Sequence, residues 1–533
     1  MKYSLYLILF LLFSCSEKKE NYQAKIDTDG HFSNYISMDG KVFKDGEKDF
    51  YPVVMNYSMD VHSKKQDEKV LFLASPRGGY HPNYGKEGGE NLVPWGKDPE
   101  ELLAIIRAHF TSIRDMGFNT LRVTGFTSTD KHNGGKGFHT WSEIDVSNSA
   151  EGNRNITEGM VPLLKEILQL AEKNQLRVIL LLSAIETQPE NQLNFYNKIA
   201  TSLKDEKSLM AYDFYNEPLY FDKGSYTKNE TKAFVESYNK SIKDVSPNHL
   251  TTIGLSHYKI VSEWDPELMD VDFLSFHLYP YWSKNLDKLE RFEAKFYWIA
   301  QNITKPWIIG ETGLNTAKGC EPLNWSWGNY ADQLEFMSYS LKLNRMAGAS
   351  GYSWWSFQDM RFPPGKIEGT CNVSDYGLVN RKSGTYTNSN GDEILGELKH
   401  KNEDLPFTEF INNHPYEPSF WDKPLNPDEV YYNIDYLPNE NRAKGKVINE
   451  KGNPVANAIV TIYNTTSKSR YTTFTKSDGS FEIKTGWTNV FKNLDFKLKA
   501  TAVKMETKEI PLRNIYKNKG DVFEAITLKP FHN

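Results

Sequence analysis

The sequence lacks a basic excess, a metal-ligand motif and, beyond its first residues, a long apolar run. Its 63 Lys and Arg stand against 69 Asp and Glu, for a net charge of −6. Because the chain has no excess of basic residues to bind phosphates, nucleic acid is not expected as a partner. The histidines, cysteines and aspartates show no spacing typical of a zinc site, so neither a metal nor a cofactor is expected. No later stretch is long and apolar enough to cross a bilayer.

The first fifteen residues have the pattern of a secretory signal. A single lysine precedes an apolar run from Leu5 to Phe13, which is too short to span a bilayer. The segment ending at Cys15 resembles the bacterial lipobox, which implies that Cys15 is lipidated; the alternative is an uncleaved membrane anchor. Residues 16–31 are polar and predict a solvated tether. We therefore expect an exported lipoprotein, anchored at the outer membrane or cell surface, with the periplasmic side as an alternative.

With 533 residues, the chain is long enough for two domains and a leader. Between residues 32 and 438, apolar strand-like segments alternate with helical patterns. This alternation predicts an α/β fold in which eight parallel strands close into a (β/α)₈ barrel. An open doubly wound sheet is the rival, but its glycine-rich phosphate turn is missing. The eight segments cover residues 50–57, 118–123, 177–182, 212–217, 250–255, 271–276, 306–310 and 350–355.

The pattern changes near residue 438. From 439 to 533 short alternating strands are separated by turn signals such as Asp478-Gly479, which predicts a small all-β sandwich. The pattern resembles the carboxypeptidase regulatory-like modules of immunoglobulin type that are appended to exported bacterial proteins. It contains no titratable cluster, so we interpret it as a spacer or accessory module.

Two predicted barrel strands end abruptly in a glutamate. One segment runs from Tyr212 to Glu217 and Pro218, and the other runs from Trp307 to Glu311. The carboxyl ends of parallel barrel strands meet at one mouth, so both glutamates are expected there. Two facing carboxylic acids are what hydrolysis of a glycosidic bond with retention requires.

The remaining cysteines, Cys320 and Cys371, follow two of the strands that carry candidate site residues. Export would place them where disulfides persist. A loop of about 50 residues closed by a disulfide gains roughly 4 kcal/mol in the chain-entropy model. We predict that they form a disulfide that braces the rim of the cleft; two buried free thiols are the alternative.

Over residues 35 to 400 the chain resembles the family 5 glycoside hydrolases, within the larger clan whose catalytic glutamates follow strands four and seven. The segments that carry the resemblance are Asn119-Thr120-Leu121-Arg122-Val123, Asn216-Glu217-Pro218, His277-Leu278-Tyr279, Ile309-Gly310-Glu311 and Trp354-Trp355. A leading hairpin, predicted at residues 38–46 from the turn signals on either side of Val42-Phe43, adds to it. The resemblance implies that Glu217 is the general acid and base and that Glu311 is the nucleophile.

The same resemblance implies roles for the residues around the two glutamates. Arg122 and Tyr279 would support Glu311, and Asn216 would hold the sugar 2-hydroxyl. His277 would orient Glu217 or contact substrate. One of the paired tryptophans would floor the subsite of the cleaved sugar, and we favour Trp354 over Trp355.

One position departs from the family pattern. The third strand of family 5 often ends in a histidine that reaches the substrate, whereas Ser183 stands there in this chain. The departure leaves the clan assignment intact and the sugar specificity open, with a faint similarity to the β-mannanase branch. Four loop tryptophans are candidates for outer subsites or for loop packing: Trp141, Trp282, Trp325 and Trp327.

We therefore expect a monomeric, retaining glycoside hydrolase that cleaves β-linkages of a polysaccharide or oligosaccharide. Aromatic residues, at 14 % of the chain, suit sugar binding, but they also fill a large core, which is the better interpretation for most of the 12 tryptophans. Three alternatives remain: a glycan-binding lipoprotein without activity, a transglycosylase using the same residues, and a scaffold or adhesion protein displayed through its β-module.

Overall fold

A computed structural model describes residues 30–66, 69–76, 99–125, 156–182, 189–218, 226–256, 258–280, 289–316, 328–358, 376–381, 398–402, 405, 441–464, 470–485, 496–517 and 522–532. Several predictions concern residues outside these ranges: the signal, most of the tether, lipidation of Cys15, the disulfide between Cys320 and Cys371, Ser183 and the four loop tryptophans. The predicted boundary near residue 438 also lies outside them.

The described chain begins with a small antiparallel sheet, which confirms the predicted leading hairpin. Its strands are β1 (Ile36–Asp39), β2 (Val42–Asp45) and β3 (Lys48–Phe50). Phe43 packs edge-on against Phe273 with ring centroids 5.1 Å apart. Asp45 accepts a hydrogen bond from Arg177 at 3.0 Å, and both side chains are buried. The sheet therefore covers the N-terminal end of the barrel strands.

Eight parallel strands then form the barrel, in the spatial order β11-β10-β9-β8-β7-β6-β4-β12. A parallel bridge between Ile308 and Gly351 brings the two ends of this order together. β4 continues past the barrel and pairs with β5 as an antiparallel hairpin. The strands are β4 (Val53–Gln66), β5 (Lys69–Pro76), β6 (Thr120–Thr124), β7 (Arg177–Leu181), β8 (Leu209–Asn216), β9 (Leu250–Leu255), β10 (Leu274–His277), β11 (Trp307–Glu311) and β12 (Tyr352–Trp354).

Helices follow the strands and cover their outer faces. The first has apolar residues at helical spacing, and all five of them are buried: Leu102, Leu103, Ile106, Phe110 and Ile113. The helices are α1 (Pro99–Asp115), α2 (Val161–Lys173), α3 (Pro189–Leu203), α4 (Lys228–Lys243), α5 (Leu289–Asn302) and α6 (Tyr330–Met346). A π-helical turn (Ile156–Met160) precedes α2, and 3₁₀ turns (Tyr258–Ser262, Pro266–Leu268) lie between β9 and β10.

Local capping explains where two of these helices begin. Thr227 caps α4, because its side chain accepts from the Glu230 amide while the Glu230 carboxylate accepts from the Thr227 amide. Asn329 and Asp332 form the same reciprocal arrangement at α6. In the described part of the chain, no helix combines the length and apolar character that a bilayer crossing needs.

Two further sheets, largely antiparallel, make up the C-terminal part and share one hydrophobic core. One has the order β18-β15-β22-β21 with β23 beside β15, and the other has the order β17-β16-β19-β20. Their immunoglobulin-type topology and exact domain limits remain predictions. The elements are β13 (Val379–Arg381) and β14 (Leu398–His400), which form a separate pair, then β15 (Asn441–Asn449), β16 (Ile459–Asn464), β17 (Arg470–Phe474), β18 (Ser480–Thr485), β19 (Phe496–Thr501), β20 (Lys508–Pro511), α7 (Leu512–Ile515), β21 (Tyr516–Lys517), β22 (Val522–Phe523) and β23 (Ile526–Leu528).

Candidate active site

The end of β8 sets the position of Glu217. The strand register shifts between Asp213 and Asn216, so both of these side chains face the barrel interior. Phe214 points outward, where its ring stacks with that of Tyr196. Glu217 itself has a left-handed backbone with φ at 53°, and its amide donates to the Gly254 carbonyl at 2.9 Å. A non-glycine residue rarely adopts this conformation, so the surrounding strands hold Glu217 in a defined orientation.

Glu217 and Glu311 converge on the imidazole of His277. His277 Nδ1 lies 3.0 Å from Glu217 Oε1 and 3.5 Å from Glu311 Oε1. One carboxylate oxygen of each glutamate lies within 4.8 Å of the other. The Glu217 side chain is 15 % exposed and that of Glu311 is 6 % exposed. The two acids therefore share one partly solvated space at the mouth of the barrel.

Two glycines make room for the imidazole. A methyl carbon on Gly254 would lie 2.9 Å from the ring, and one on Gly310 would lie 3.0 Å from it. On Gly310 the same carbon would also lie 1.8 Å from Ser275 Oγ. Only a residue without a side chain fits at these positions while His277 stays between the two glutamates.

Arg122 supplies a permanent positive charge to the interior. Its guanidinium donates to Asp213 at 2.8 Å, to Asn56 at 3.0 Å, to Glu311 at 2.6 Å and to Asn216 at 2.8 Å. The side chain is 1 % exposed. A buried arginine is tolerated when its donors are satisfied and its charge is balanced, and this network meets both conditions.

Tyr279 completes the surroundings of Glu311. Its hydroxyl donates to Glu311 Oε2 at 2.9 Å. Lys295 donates to the Tyr279 carbonyl at 2.6 Å, and the ring of Tyr376 packs edge-on against Tyr279 with centroids 5.7 Å apart. Glu311 thus accepts one bond on each oxygen, from Arg122 and from Tyr279, and both donors favour its ionised form.

Glu217 and Glu311 differ in the electrostatic surroundings that determine their protonation. Burial raises the pKa of Glu217 to about 7, against a smaller lowering by Arg122. Burial also raises the pKa of Glu311, while His277 and Arg122 oppose the rise. Burial lowers the pKa of His277 to about 4, so the imidazole is neutral near neutral pH. Since Glu311 is bonded to Arg122 and Glu217 is not, the arrangement favours a proton on Glu217 and charge on Glu311.

This geometry agrees with a comparison to known families. The model of the cellulase family, glycosyl hydrolase family 5, matches residues 82–359, which is just over half of the chain. The chain belongs to glycosyl hydrolase family 5. Membership places it among the glycoside hydrolases and agrees with its eight-stranded parallel barrel.

Solved structures of a β-glucuronidase from Ruminococcus gnavus are similar over part of the chain. The complex with C6-substituted uronic isofagomine is 13 % identical with a TM-score of 0.43, covering 66 % of this chain and 50 % of that one. The apo structure at 1.7 Å is also 13 % identical, with a TM-score of 0.42 and the same coverage. The family 5 chain thus spans about half the length of these structures. A search of curated proteins found no match.

One predicted site residue of the family 5 chain must be corrected. Asn56 donates to Ser353 Oγ in the barrel interior, so the next residue of β12, Trp354, faces outward. Trp354 is fully buried against Phe336 of α6, and its indole donates to the Tyr376 carbonyl at 3.1 Å. The prediction that Trp354 floors a subsite is therefore wrong. Strand alternation instead predicts that Trp355, the half-buried residue directly after β12, is the tryptophan that turns towards the mouth.

Three residues of the site were missed by reasoning from the sequence. Asn56 and Asp213 each hold Arg122, and each is a polar residue between two apolar or aromatic neighbours in its strand, a signal that could have revealed them. Tyr376 reaches Tyr279 from a segment beyond the eighth strand. Nothing in the periodic pattern distinguishes Tyr376, because it lies outside the strand and helix repeat.

The same cluster is the group of described residues that could geometrically hold a metal ion, through Glu217, His277 and Glu311. However, Glu311 already accepts bonds from Arg122 and Tyr279. The fixed guanidinium charge would repel a second cation placed beside the same carboxylate. The donor set therefore suits proton transfer and nucleophilic attack better than metal binding.

Proposed function

We propose that this protein is a retaining β-glycosidase that acts by double displacement. The observation that supports it most is the convergence of Glu217 and Glu311, whose carboxylate oxygens come within 4.8 Å of each other around His277. Carboxyl groups about 5–5.5 Å apart are typical of retaining enzymes, whereas inverting enzymes leave a wider gap for water. The short separation favours retention.

In the first step, a carboxylate oxygen of Glu311 would attack the anomeric carbon while the bond to the leaving oxygen breaks. Glu217 would give its proton to that oxygen, which the raised pKa of Glu217 allows near neutral pH. The product is a glycosyl ester on Glu311. Arg122 and Tyr279 would orient Glu311, and Asn216, held by Arg122, would present its amide to the sugar 2-hydroxyl.

In the second step, Glu217, now ionised, would remove a proton from water as the water oxygen attacks the anomeric carbon. The ester bond breaks, Glu311 leaves as a carboxylate, and Glu217 regains its proton. Two inversions give net retention. If a sugar hydroxyl replaces water, the same residues catalyse transglycosylation, which product analysis with an added acceptor would reveal.

Substitution of each glutamate with azide present tests the roles. Glu311→Gln should abolish turnover, and azide should restore part of it as a glycosyl azide of inverted configuration, because azide then attacks the substrate directly. Glu217→Ala with azide should instead give the retained azide from an activated substrate. Glu166→Gln, an exposed change on α2, is the control. Unchanged turnover in Glu311→Gln would refute the proposal.

We propose a β-linked polysaccharide or its oligosaccharides as the substrate class. Membership of family 5 and a mouth that combines Trp355 with the Tyr279 and Tyr376 pair support this class. Hydrolysis assays on β-mannans, β-glucans, xylans and galactans would identify the sugar. Binding without hydrolysis of any of them would favour a glycan-binding protein.

We also propose that the protein is exported and lipid-anchored through Cys15, with a disulfide between Cys320 and Cys371. The support is the leader pattern and the small number of cysteines. Incorporation of labelled palmitate into the natural chain but not into Cys15→Ser would test the anchor. Peptide mapping with and without reductant would test the disulfide.

A further inference from the structure

The C-terminal sheets pack directly on the barrel. Trp298 of α5 stacks on Phe474 of β17, with ring centroids 6.2 Å apart and planes at 12°. The Trp298 indole donates to the Asn457 carbonyl at 3.1 Å. Thr507 also donates to the barrel, through a hydrogen bond to the carbonyl of Ser262 at 2.6 Å. The C-terminal unit is thus docked against the barrel rather than separated from it by a spacer.

A buried ion pair lies at the centre of this contact. Lys228 Nζ donates to Asp265 Oδ2 at 2.8 Å and to the carbonyl of Ala502 in the C-terminal unit at 2.8 Å. The Lys504 amide, also from that unit, donates to the same Asp265 oxygen at 2.8 Å. The Lys228 and Asp265 side chains are 3 % and 0 % exposed. A buried pair requires such additional bonds, and the C-terminal backbone supplies one to each partner.

The same ion pair lies next to the segment that carries Glu217. Lys228 is the first residue of α4, the helix that follows the loop beginning at Glu217. Asp265 follows Trp264, whose ring stacks on Tyr215 with centroids 6.2 Å apart and planes at 13°. Tyr215 precedes Glu217 by two residues, and Tyr226, just before α4, also packs on Trp264. Tyr215 and Tyr226, on either side of the loop after β8, therefore both pack on Trp264, which lies between the two 3₁₀ turns that contact the C-terminal unit.

We propose that the C-terminal unit is a positioning element for the general acid Glu217, acting through the Lys228–Asp265 pair and the backbone of residues 502–504. The inference rests on the role of Glu217 proposed above. Docking of the C-terminal unit fixes the positions of Asp265 and Lys228. Asp265 in turn positions the adjacent Trp264, and Lys228 positions the start of α4. Because the two ends of the loop after β8 are fixed in this way, Glu217 is held in its left-handed conformation. The unit thus contributes to proton transfer without touching substrate.

The test compares substrates that differ in their need for a proton. A 2,4-dinitrophenol leaving group departs without protonation, whereas a sugar leaving group requires the general acid. The probes are the 2,4-dinitrophenyl β-glycoside and the tetrasaccharide of whichever sugar the polysaccharide assays identify. The measured quantity is kcat/KM, because it reports formation of the glycosyl ester and is independent of the later step in which Glu217 acts as a base.

Lys228→Met in the full-length chain removes the charge and both hydrogen bonds while keeping an unbranched side chain. We expect kcat/KM for the tetrasaccharide to fall about tenfold, a fraction of what a general acid contributes, and kcat/KM for the dinitrophenyl glycoside to change less than about twofold. Lys240→Met is the matched control, because Lys240 lies on the same helix in an exposed pair with Asp244. It should leave both values unchanged.

Phe474→Ala approaches the same contact from the C-terminal side and keeps the test valid if Lys228→Met does not fold. It should produce the same selective loss. Equal losses on both substrates, or no loss in a folded variant, would overturn the inference. Glu217→Ala separates this result from the proposed function: if Glu217→Ala shows the leaving-group dependence and the contact variants do not, only the positioning role fails. If Glu217→Ala lacks the dependence, the general acid assignment fails.

Discussion

Arg122 uses one nitrogen, Nη1, to donate both to Glu311 Oε1 at 2.6 Å and to Asn56 Oδ1 at 3.0 Å. The charge that balances the proposed nucleophile is therefore held by the first barrel strand as well as by the fourth. Both Arg122 and Glu311 are almost fully buried. Removing Arg122 would leave two buried carboxylates, Glu311 and Asp213, without their ion-pair partner, so the arginine links the chemistry of the site to the stability of the barrel.

Replacing the arginine should change both rate and pH dependence. In Arg122→Met, kcat/KM should fall by at least about a hundredfold, since the acidic side chains lose an aligned cation. The pKa of Glu311 should rise, because its ionised form loses a favourable partner. The acid limb of the pH profile of kcat/KM should therefore move to higher pH. Arg114→Met, which removes an exposed pair with Asp115, is the control; the same acid limb in both variants would contradict the prediction.

The alkaline side of the pH profile should report Glu217. Its pKa, raised by burial to about 7, predicts that kcat/KM for an unactivated substrate falls as the pH rises above this value. The fall follows because the general acid must carry its proton when the first step begins. A pH profile measured on the free enzyme with oligosaccharide tests it. A plateau that continues to pH 9 would exclude Glu217 as the acid.

The raised pKa of Glu217 also predicts an effect on stability. In the folded state the carboxyl keeps its proton up to a pH of about 7, whereas the unfolded chain releases it near the ordinary value of 4.5. Between these values the unfolded state binds fewer protons, so the stability of the natural chain falls as the pH rises. Glu217→Gln removes this loss and should be more stable above pH 7 by on the order of 1–3 kcal/mol. Denaturant unfolding of both proteins at pH 4.5 and pH 7.5 would measure the difference.

The two adjacent tryptophans should respond differently to substitution. Trp355→Ala should weaken sugar binding and lower kcat/KM by about ten- to a hundredfold, because the variant loses the ring that strand alternation places towards the mouth. Trp354→Phe should lower stability by about 1–3 kcal/mol and leave KM unchanged, because it removes the hydrogen bond to the Tyr376 carbonyl and packing against Phe336. Kinetics and thermal unfolding of both variants test the pair. A raised KM in Trp354→Phe alone would reverse the assignment.

Asn56→Ala should reduce activity although Asn56 lies behind the site. Its amide donates to the Gly310 carbonyl, Ser353 and the Trp354 carbonyl, and its oxygen holds Arg122. Loss of these buried hydrogen bonds should destabilise the protein by about 2–3 kcal/mol. The substitution should also lower kcat by about tenfold, because the Arg122 guanidinium is no longer held in place by Asn56. Kinetics below the unfolding temperature separate the two effects, and full activity in a destabilised variant would show that Asn56 is structural only.

Much of the barrel could be predicted from the sequence because each strand is a short apolar run followed by a helical repeat. The chain order of the strands then places the ends of β8 and β11 at one mouth, which is why Glu217 and Glu311 could be selected in advance. The choice between Trp354 and Trp355 went wrong for a local reason. β12 is only three residues long. The sequence of so short a strand does not show which of its side chains face the barrel interior, and this is settled only by the inward position of Ser353 in the structure.

The docking of the C-terminal unit could not be predicted in this way. Lys228 and Ala502 are 274 residues apart in sequence, and neither belongs to a motif. From the sequence alone Lys228 would be assigned to the surface, because lysines are rarely buried without a partner. Only the fold shows that Asp265 and a backbone carbonyl are present to accept its hydrogen bonds.

Gly254 and Gly310 carry a practical consequence for protein engineering. A mutagenesis library designed only from distances to the bound sugar would treat both glycines as freely replaceable. Yet a single added methyl group at either one would collide with the imidazole between the two acids. Mutagenesis campaigns on this scaffold should therefore keep these two codons fixed from the first round.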